Sequence, residues 1–361
     1  MSVTIDVRTP SNKDRYQPDC AVWELTLLCN FRCIHCGGSA GLSRKDELTF
    51  AEMTKVAEDL KRINFRRVSL IGGETFLRKD WYEIAKMIAD HGLGITYVTN
   101  GSLFPDNDKL VKQVLDTNPQ VIGFSLDGGT AETHDHIRGY KGSFAKIFES
   151  LELFKDKVRN LSIITSVNKL NIHELPLIRE LILGKHIAWQ IQIVSKKGCR
   201  FDDGHFINKD EYLQVAKFIH ESAKQYSVEE LPIAGADDMG YYSKEYPFCT
   251  INYDCWDGCK AGRSNLGIQS NGNIKGCDSL PDIYVEGNVR ERSLYEIWTD
   301  PKSFSYTRNF DTGLLKGCCA KCPHGTTCKG GCVDFSHSVS GHAFENSYCL
   351  YANENRLVDN N

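Results

Sequence analysis

The sequence predicts an α/β protein: a partial (β/α)6 barrel of the TIM type, followed by a small cysteine-rich domain with a β-hairpin. Three observations carry this. Short apolar runs alternate six times with helical stretches between residues 21 and 226, and such alternation calls for a parallel sheet covered by helices. Six units are too few to close an eight-fold barrel, so the sheet stays open. Past residue 230 the alternation stops and cysteines accumulate, six of the fifteen lying between 318 and 349.

Residues 1–19 are polar, contain Pro10 and Pro18, and form a lead-in segment. Strands are expected at 21–28, 67–71, 94–99, 121–126, 161–167 and 188–194. Helices follow at 49–63, 80–91, 106–116, 143–158, 174–183 and 209–226. Thr49, with Glu52 three residues on, makes a capping box for the first helix. The barrel spans 20–230, a bridging region 231–258, the cysteine-rich domain 259–349 and a tail 350–361. In the third of these, Ser270-Asn-Gly-Asn-Ile-Lys-Gly-Cys277 reads as a hairpin turning at Asn271-Gly272, the dipeptide a type I′ turn favours. A helical piece follows at 294–298.

The loop after the first strand reads Cys29-Asn-Phe-Arg-Cys33-Ile-His-Cys36. Three thiolates on one short loop suit three corners of a cubane iron–sulfur cluster, which ordinarily takes four cysteines. The iron left without a protein ligand is open to a substrate or cofactor, as in catalytic metal sites. Half a zinc site, with His35 as a further ligand, is the alternative; the Cys-x3 arm fits it less well. Other polar groups gather at later strand ends: Gly72-Gly73-Glu74, Asn100, then Ser125 and Asp127. Each alone reads as a turn. At successive strand ends beside a cysteine loop they read as the lining of a site.

Composition narrows the function. A formal net charge of −4 argues against a general nucleic-acid binder. The N-terminus lacks a basic segment and an apolar core of the kind a secretory signal carries, and no apolar run reaches membrane-span length. Fifteen cysteines without an export signal point to metal ligation in a reducing cytoplasm rather than to disulfides.

The Cys29–Cys36 loop after strand one and Gly-Gly-Glu after strand two resemble the radical S-adenosylmethionine (radical SAM) enzymes. The resemblance implies that Cys29, Cys33 and Cys36 hold a [4Fe–4S] cluster whose open iron is chelated by S-adenosylmethionine. Gly72, Gly73 and Glu74 would meet its methionine amine, a carboxylate facing an ammonium being chemically apt. Asn100 would join this cofactor site, Ser125 and Asp127 would lie at the ribose, and Arg138 near the carboxylate. A solvated charge at a helix start is the other reading of Arg138. His35 stands where the family usually has Tyr or Phe and would add a hydrogen bond near the adenine. The cofactor supplies the radical chemistry and the protein the geometry.

Farther on, Cys259, Gly272, Cys277, then Cys319-x2-Cys322-x5-Cys328-x3-Cys332 and Cys349 match the SPASM extension of that family. A zinc ribbon is the alternative for these knuckles. The likeness covers residues 21–349 and implies two auxiliary [4Fe–4S] clusters, three in all. Cys319, Cys322, Cys328 and Cys349 would hold the outer one, and Cys259, Cys277 and Cys332 the inner one. Cys255 is the chosen fourth ligand of the inner cluster, with Cys249 or an open site as alternatives. Cys20, Cys199 and Cys318 have no role, and buried inert thiols are the default for them. Asp278 would act as the base, as an aspartate does at this place in sulfatase maturases; a turn aspartate is the alternative.

Auxiliary clusters suit removal of a second electron, hence oxidation or cross-linking. Phrases such as Cys33-Ile-His-Cys-Gly-Gly-Ser-Ala-Gly41 and Leu70-Ile-Gly-Gly-Glu74 resemble maturases of ribosomally made (RiPP) peptides. The expected partners are a peptide or protein substrate and an electron donor such as flavodoxin or ferredoxin. Only 28 residues precede Cys29, too few for the recognition module many such maturases carry. Leader recognition would then fall to a barrel edge by strand addition, the bridging region or a separate protein. Formylglycine formation on a sulfatase and a small-molecule (sugar or aminoglycoside) substrate are the alternatives, and a metal-binding scaffold is the non-enzymatic one.

Overall fold

The structure, a computed structural model, describes residues 17–249 and 256–358. Its centre is one ten-stranded sheet. The strands are β1 (Cys20–Glu24), β2 (Arg67–Ile71), β3 (Gly94–Thr99), β4 (Val121–Ser125), β5 (Leu161–Val167), β6 (Ile187–Ile193), β7 (Ile233–Gly235), β8 (Asn265–Ile268), β9 (Asn273–Lys275) and β10 (Gly287–Asn288). Their order is β10-β9-β8-β1-β2-β3-β4-β5-β6-β7. Strands β1 to β7 run parallel in chain order, as strand–helix units in a barrel-like sheet must.

The covering helices are α1 (Phe50–Ile63), α2 (Trp81–Asp90), α3 (Asp108–Asp116), α4 (Ala131–Arg138), α5 (Ser143–Phe154), α6 (Leu175–Ile182) and α7 (Lys209–Gln225). The capping box forms at α1: Thr49 Oγ1 accepts from the Glu52 N–H, and Glu52 accepts from the Thr49 N–H at 2.8 Å. Alternate residues of β1, Ala21 and Trp23, are fully buried. With Phe104, Phe124, Phe154 and Trp189 they belong to the core between sheet and helices, where each large apolar side chain contributes about 1.5–3 kcal/mol.

Four features differ from the sequence reading. The first strand stops at Glu24, and residues 25–28 leave the sheet as a strap. There Thr26 Oγ1 donates to Glu47 Oε1 at 2.8 Å and accepts the Leu28 N–H at 3.0 Å, so side chains replace the ladder. An additional helix, α4, precedes α5, and α5 ends at Phe154, short of residue 158. The bridging region supplies a seventh parallel strand, β7, paired to β6. The expected hairpin, β8–β9, does not stand apart: β8 lies parallel on the free edge of β1, Cys20 opposite Asn265 and Trp23 opposite Ile268. The cysteine-rich segment is thereby continuous with the barrel sheet. Among the described residues no helix is long and apolar enough to cross a membrane.

Candidate active site

The strap carries the chain from β1 into the three-cysteine loop. Cys29 and Cys33 are buried and Cys36 half-buried. The Phe31 N–H points at Cys29 Sγ (3.4 Å) and the Ala40 N–H at Cys36 Sγ (3.3 Å). Arg200, on the loop after β6, clamps the turn by donating to Cys33 O (3.1 Å) and Ala40 O (3.0 Å). Burial pushes the Cys29 thiol up to about 11. A thiolate needs a strong positive partner at such a place, and a metal deprotonates a coordinating thiol outright.

The Gly-Gly-Glu turn is stitched to the same strap. The Gly73 N–H donates to Thr26 O (2.7 Å) and the Glu74 N–H to Leu28 O (2.8 Å). A side chain at Gly72 would overlap Thr26 O, and one at Gly73 would lie 2.6 Å from Leu27 O and closer still to Leu28 O. Only glycine permits that approach. Glu74 is 1% exposed. Its carboxylate accepts from Thr99 Oγ1 and the Asn100 N–H, both at 2.9 Å. Burial outweighs these bonds and lifts its pKa to about 7. Asn100 in turn donates to Asn30 Oδ1 (2.9 Å) and accepts from Ser102 Oγ (2.7 Å). The ends of β2 and β3 are thus tied to the cysteine loop through Asn30.

Arg138 is buried rather than solvated. It ends α4, and its Nη1 donates to Asp127 Oδ2 at 2.9 Å. Asp127 Oδ1 accepts the Ser166 N–H at 2.8 Å, and His35 Nε2 lies 3.5 Å from Oδ2. Burial opposes ionisation of Asp127, yet His35, Arg138 and the Ser166 N–H hold its carboxyl below the usual range. Asp127 is fully enclosed, with both oxygens engaged. It thereby anchors Arg138 beside His35. Ser125, half-buried at the end of β4, is the group there that remains open. Arg138 Nε and His35 Nδ1 are buried without hydrogen-bond partners, so the site holds polar atoms that nothing in the protein satisfies.

A pocket lies under the C-terminal cysteines. Cys319, Cys322, Cys328 and Cys349 line it together, with Cys318 beside them. The Asn346 loop distinguishes the neighbours: Cys318 Sγ donates to Asn346 O (3.2 Å), whereas Cys319 Sγ accepts the Asn346 N–H (3.4 Å). Cys259 and Cys277 pack on Ala261, Leu280 and Val333. Cys332 directly precedes Val333, and burial, then the charge of Cys259, push its thiol up. Among the described residues no three His, Cys, Asp or Glu side chains converge tightly enough for a single metal ion. A cubane spreads its thiolates over separate irons.

The chain matches the Radical SAM superfamily over residues 23–182 and an iron–sulfur cluster-binding domain, SPASM, over residues 259–323. It is a radical SAM enzyme with a SPASM domain. The AdoMet-dependent heme synthase of Methanosarcina barkeri is 29% identical over 346 residues, covering 92% of this chain and 97% of the relative. The mycofactocin maturase MftC of Mycobacterium ulcerans is 27% identical over 321 residues, 88% of this chain and 83% of the relative. Streptococcus suis SuiB bound to S-adenosylmethionine superposes with a TM-score of 0.72 at 17% identity, over 92% of this chain and 77% of SuiB. Iron–sulfur and S-adenosylmethionine binding follow from the two domains, and the thiols and orphaned polar atoms above fit such groups.

Three further sequence-predicted residues of this radical SAM enzyme have distinct placements. Asp278 sits where β8 meets the cysteine-rich domain, and a side chain at Gly267 would lie within 2.6 Å of its Cα. Its Oδ1 is buried without a partner, and burial, then the charge of Glu24, lift its pKa to about 6. Cys249, the alternative fourth ligand, is buried, its thiol donating to Met239 O. Cys255 lies outside the described residues. Cys199 is exposed rather than buried, its N–H donating to Ser39 Oγ at 2.8 Å.

Sequence reasoning missed Asn30, Arg200 and Glu24. Asn30, inside the Cys-x3-Cys arm, was visible as a polar residue in a buried loop. Glu24 was visible too, as the charge in an apolar strand; it accepts from the Ser270 N–H (3.0 Å) and Ser270 Oγ (2.7 Å). Arg200 carries no local signal, because only the tertiary fold brings the loop after β6 against the cysteine turn.

Proposed function

We propose that this radical SAM enzyme is a peptide maturase that installs a cross-link or another oxidative modification. The observation that carries this reading is a three-cysteine loop beside Glu74 and the orphaned Arg138 Nε, on one sheet with a second cysteine system. When bound, the cluster and S-adenosylmethionine supply a 5′-deoxyadenosyl radical. The remaining roles belong to the chain. Cys29, Cys33 and Cys36 hold the first cluster. Glu74 takes the methionine ammonium, with Gly72 and Gly73 letting the backbone approach and Asn100 bracing the carboxylate. Arg138 faces the ligand's carboxylate, Ser125 its ribose, and His35 Nδ1 is the free acceptor beside the adenine. Cys319, Cys322, Cys328 and Cys349 hold the outer auxiliary cluster, and Cys259, Cys277 and Cys332 the inner one, with Cys255 as its fourth ligand. Asp278, with its free oxygen and raised pKa, holds the proton that leaves the substrate.

The peptide substrate is supported by the likeness to mycofactocin maturase. A flavodoxin or ferredoxin delivers electrons, in the cytoplasm, and a separate protein or a strand added at the β7 edge recognises the leader. The test is iron and sulfide content after anaerobic reconstitution, with 5′-deoxyadenosine assayed under reduction. About twelve irons and nucleoside lost in Cys29→Ala support the reading. Zinc with no nucleoside refutes it.

A second reading has a specific observation behind it. The heme synthase relative is matched over 97% of its length, and an Fe-coproporphyrin III synthase is 25% identical over 88% of its own length, which favours a tetrapyrrole. Incubation with iron-coproporphyrin III, and with the product of any short reading frame beside the gene, separates the two by which one acquires a mass change.

A further inference from the structure

We infer that Tyr306 is the hydrogen-bond donor that sets the reduction potential of the inner auxiliary cluster. The inference rests on the three-cluster assignment above. Tyr306 lies on the short helix Ser305–Arg308. Its ring packs on the same apolar group, Ala261, Leu280 and Val333, that carries Cys259 and Cys277. With Cys259, Thr307, Lys329, Val333 and Phe344 it lines a separate small pocket.

The neighbours fix where the hydroxyl sits. Thr307 Oγ1 donates to Ala261 O at 2.7 Å, tying the helix to the Cys259 loop. Tyr284 meets the Tyr306 ring edge-on at 5.0 Å. The hydroxyl reaches the residue just before Cys277, for a side chain at Gly276 would overlap it. Glycine there leaves the room the phenol occupies.

That hydroxyl is buried, and its proton has no acceptor among the described residues. A buried tyrosine hydroxyl ordinarily finds a partner, and leaving one without is costly. The Gly276 N–H beside it is itself a donor and cannot take the phenolic proton. The charged groups nearest it are Cys259, Glu286 and Cys277, none of them within hydrogen-bond distance; the acceptor that would complete the site is a sulfide of the cluster that Cys259 and Cys277 would hold. Hydrogen bonds to cluster sulfurs stabilise the more negative, reduced state and raise the potential. Tyr306 thereby makes the inner cluster a better acceptor for the electron the substrate radical must lose.

The test is Tyr306→Phe, which keeps the ring and removes the donor. Iron content is measured first, then an EPR-monitored redox titration of the reconstituted enzyme, and deuteron couplings to the reduced clusters after exchange into D2O. The expected result is full iron content, one auxiliary cluster with its midpoint moved to more negative potential, the others unmoved, and one exchangeable deuteron coupling lost. Unchanged potentials and couplings with full iron overturn the inference. Loss of about four irons in the variant alone also overturns it, by making Tyr306 a structural support. A wild-type protein without an inner cluster would refute the cluster assignment itself, which the iron count of the unmutated enzyme reports separately.

Discussion

Glu74 offers the sharpest test of the cofactor site. Its carboxyl is enclosed, and burial lifts its pKa from 4.5 to about 7 against two good hydrogen bonds. The sign follows from linkage: a carboxyl raised in the folded state makes the empty protein less stable as pH climbs through the window from 4.5 to about 7. That gap is worth about 3 kcal/mol above pH 7. A ligand ammonium placed against Glu74 selects the ionised form. With a pKa of about 7, the ionised fraction rises from about one-tenth at pH 6 to about nine-tenths at pH 8. S-adenosylmethionine should therefore bind about tenfold more tightly at pH 8 than at pH 6 on this account. Glu74→Gln should bind more weakly and lose that tenfold component. Titrations of the ligand's own amine occur in both proteins and cancel in the comparison. The assay is anaerobic calorimetry on reconstituted protein at the two pH values. Identical pH profiles for the wild type and Glu74→Gln would refute the reasoning.

Other substitutions probe the remaining parts. Gly73→Ala sets a methyl 2.6 Å from Leu27 O; it should abolish S-adenosylmethionine binding while leaving the auxiliary-cluster iron in place, read by calorimetry and iron analysis. Arg138→Ala strands the buried Asp127 carboxylate and should cost about 3–5 kcal/mol, seen as a lowered unfolding temperature that Asp127→Asn partly restores. Cys318 donates to Asn346 O, so Cys318→Ser should keep its iron, whereas Cys349→Ser should lose about four irons per chain.

Local pattern was enough for much of this. The alternation of apolar runs and helices set the parallel sheet, because strand and helix periods are properties of neighbouring residues. The proposed cluster role of Cys29, Cys33 and Cys36 was legible from spacing, since groups on one short loop need no distant element to bring them together. The Gly72-Gly73 pair was visible as a turn, but its reason, the approach of Thr26 and Leu28 carbonyls from the strap, belongs to the packing.

Contacts across the chain decided the rest. The end of β1 at Glu24 depends on Glu47, some twenty residues away, capturing Thr26. Whether Arg138 faces solvent or Asp127 is an outcome of burial, which a charged residue at a helix end does not disclose. The position of β8 beside β1 reflects an open sheet edge, a property of the assembled strands. Cys318 and Cys319 are adjacent and identical in composition. Only the fold, by presenting a carbonyl to one sulfur and an N–H to the other, separates them.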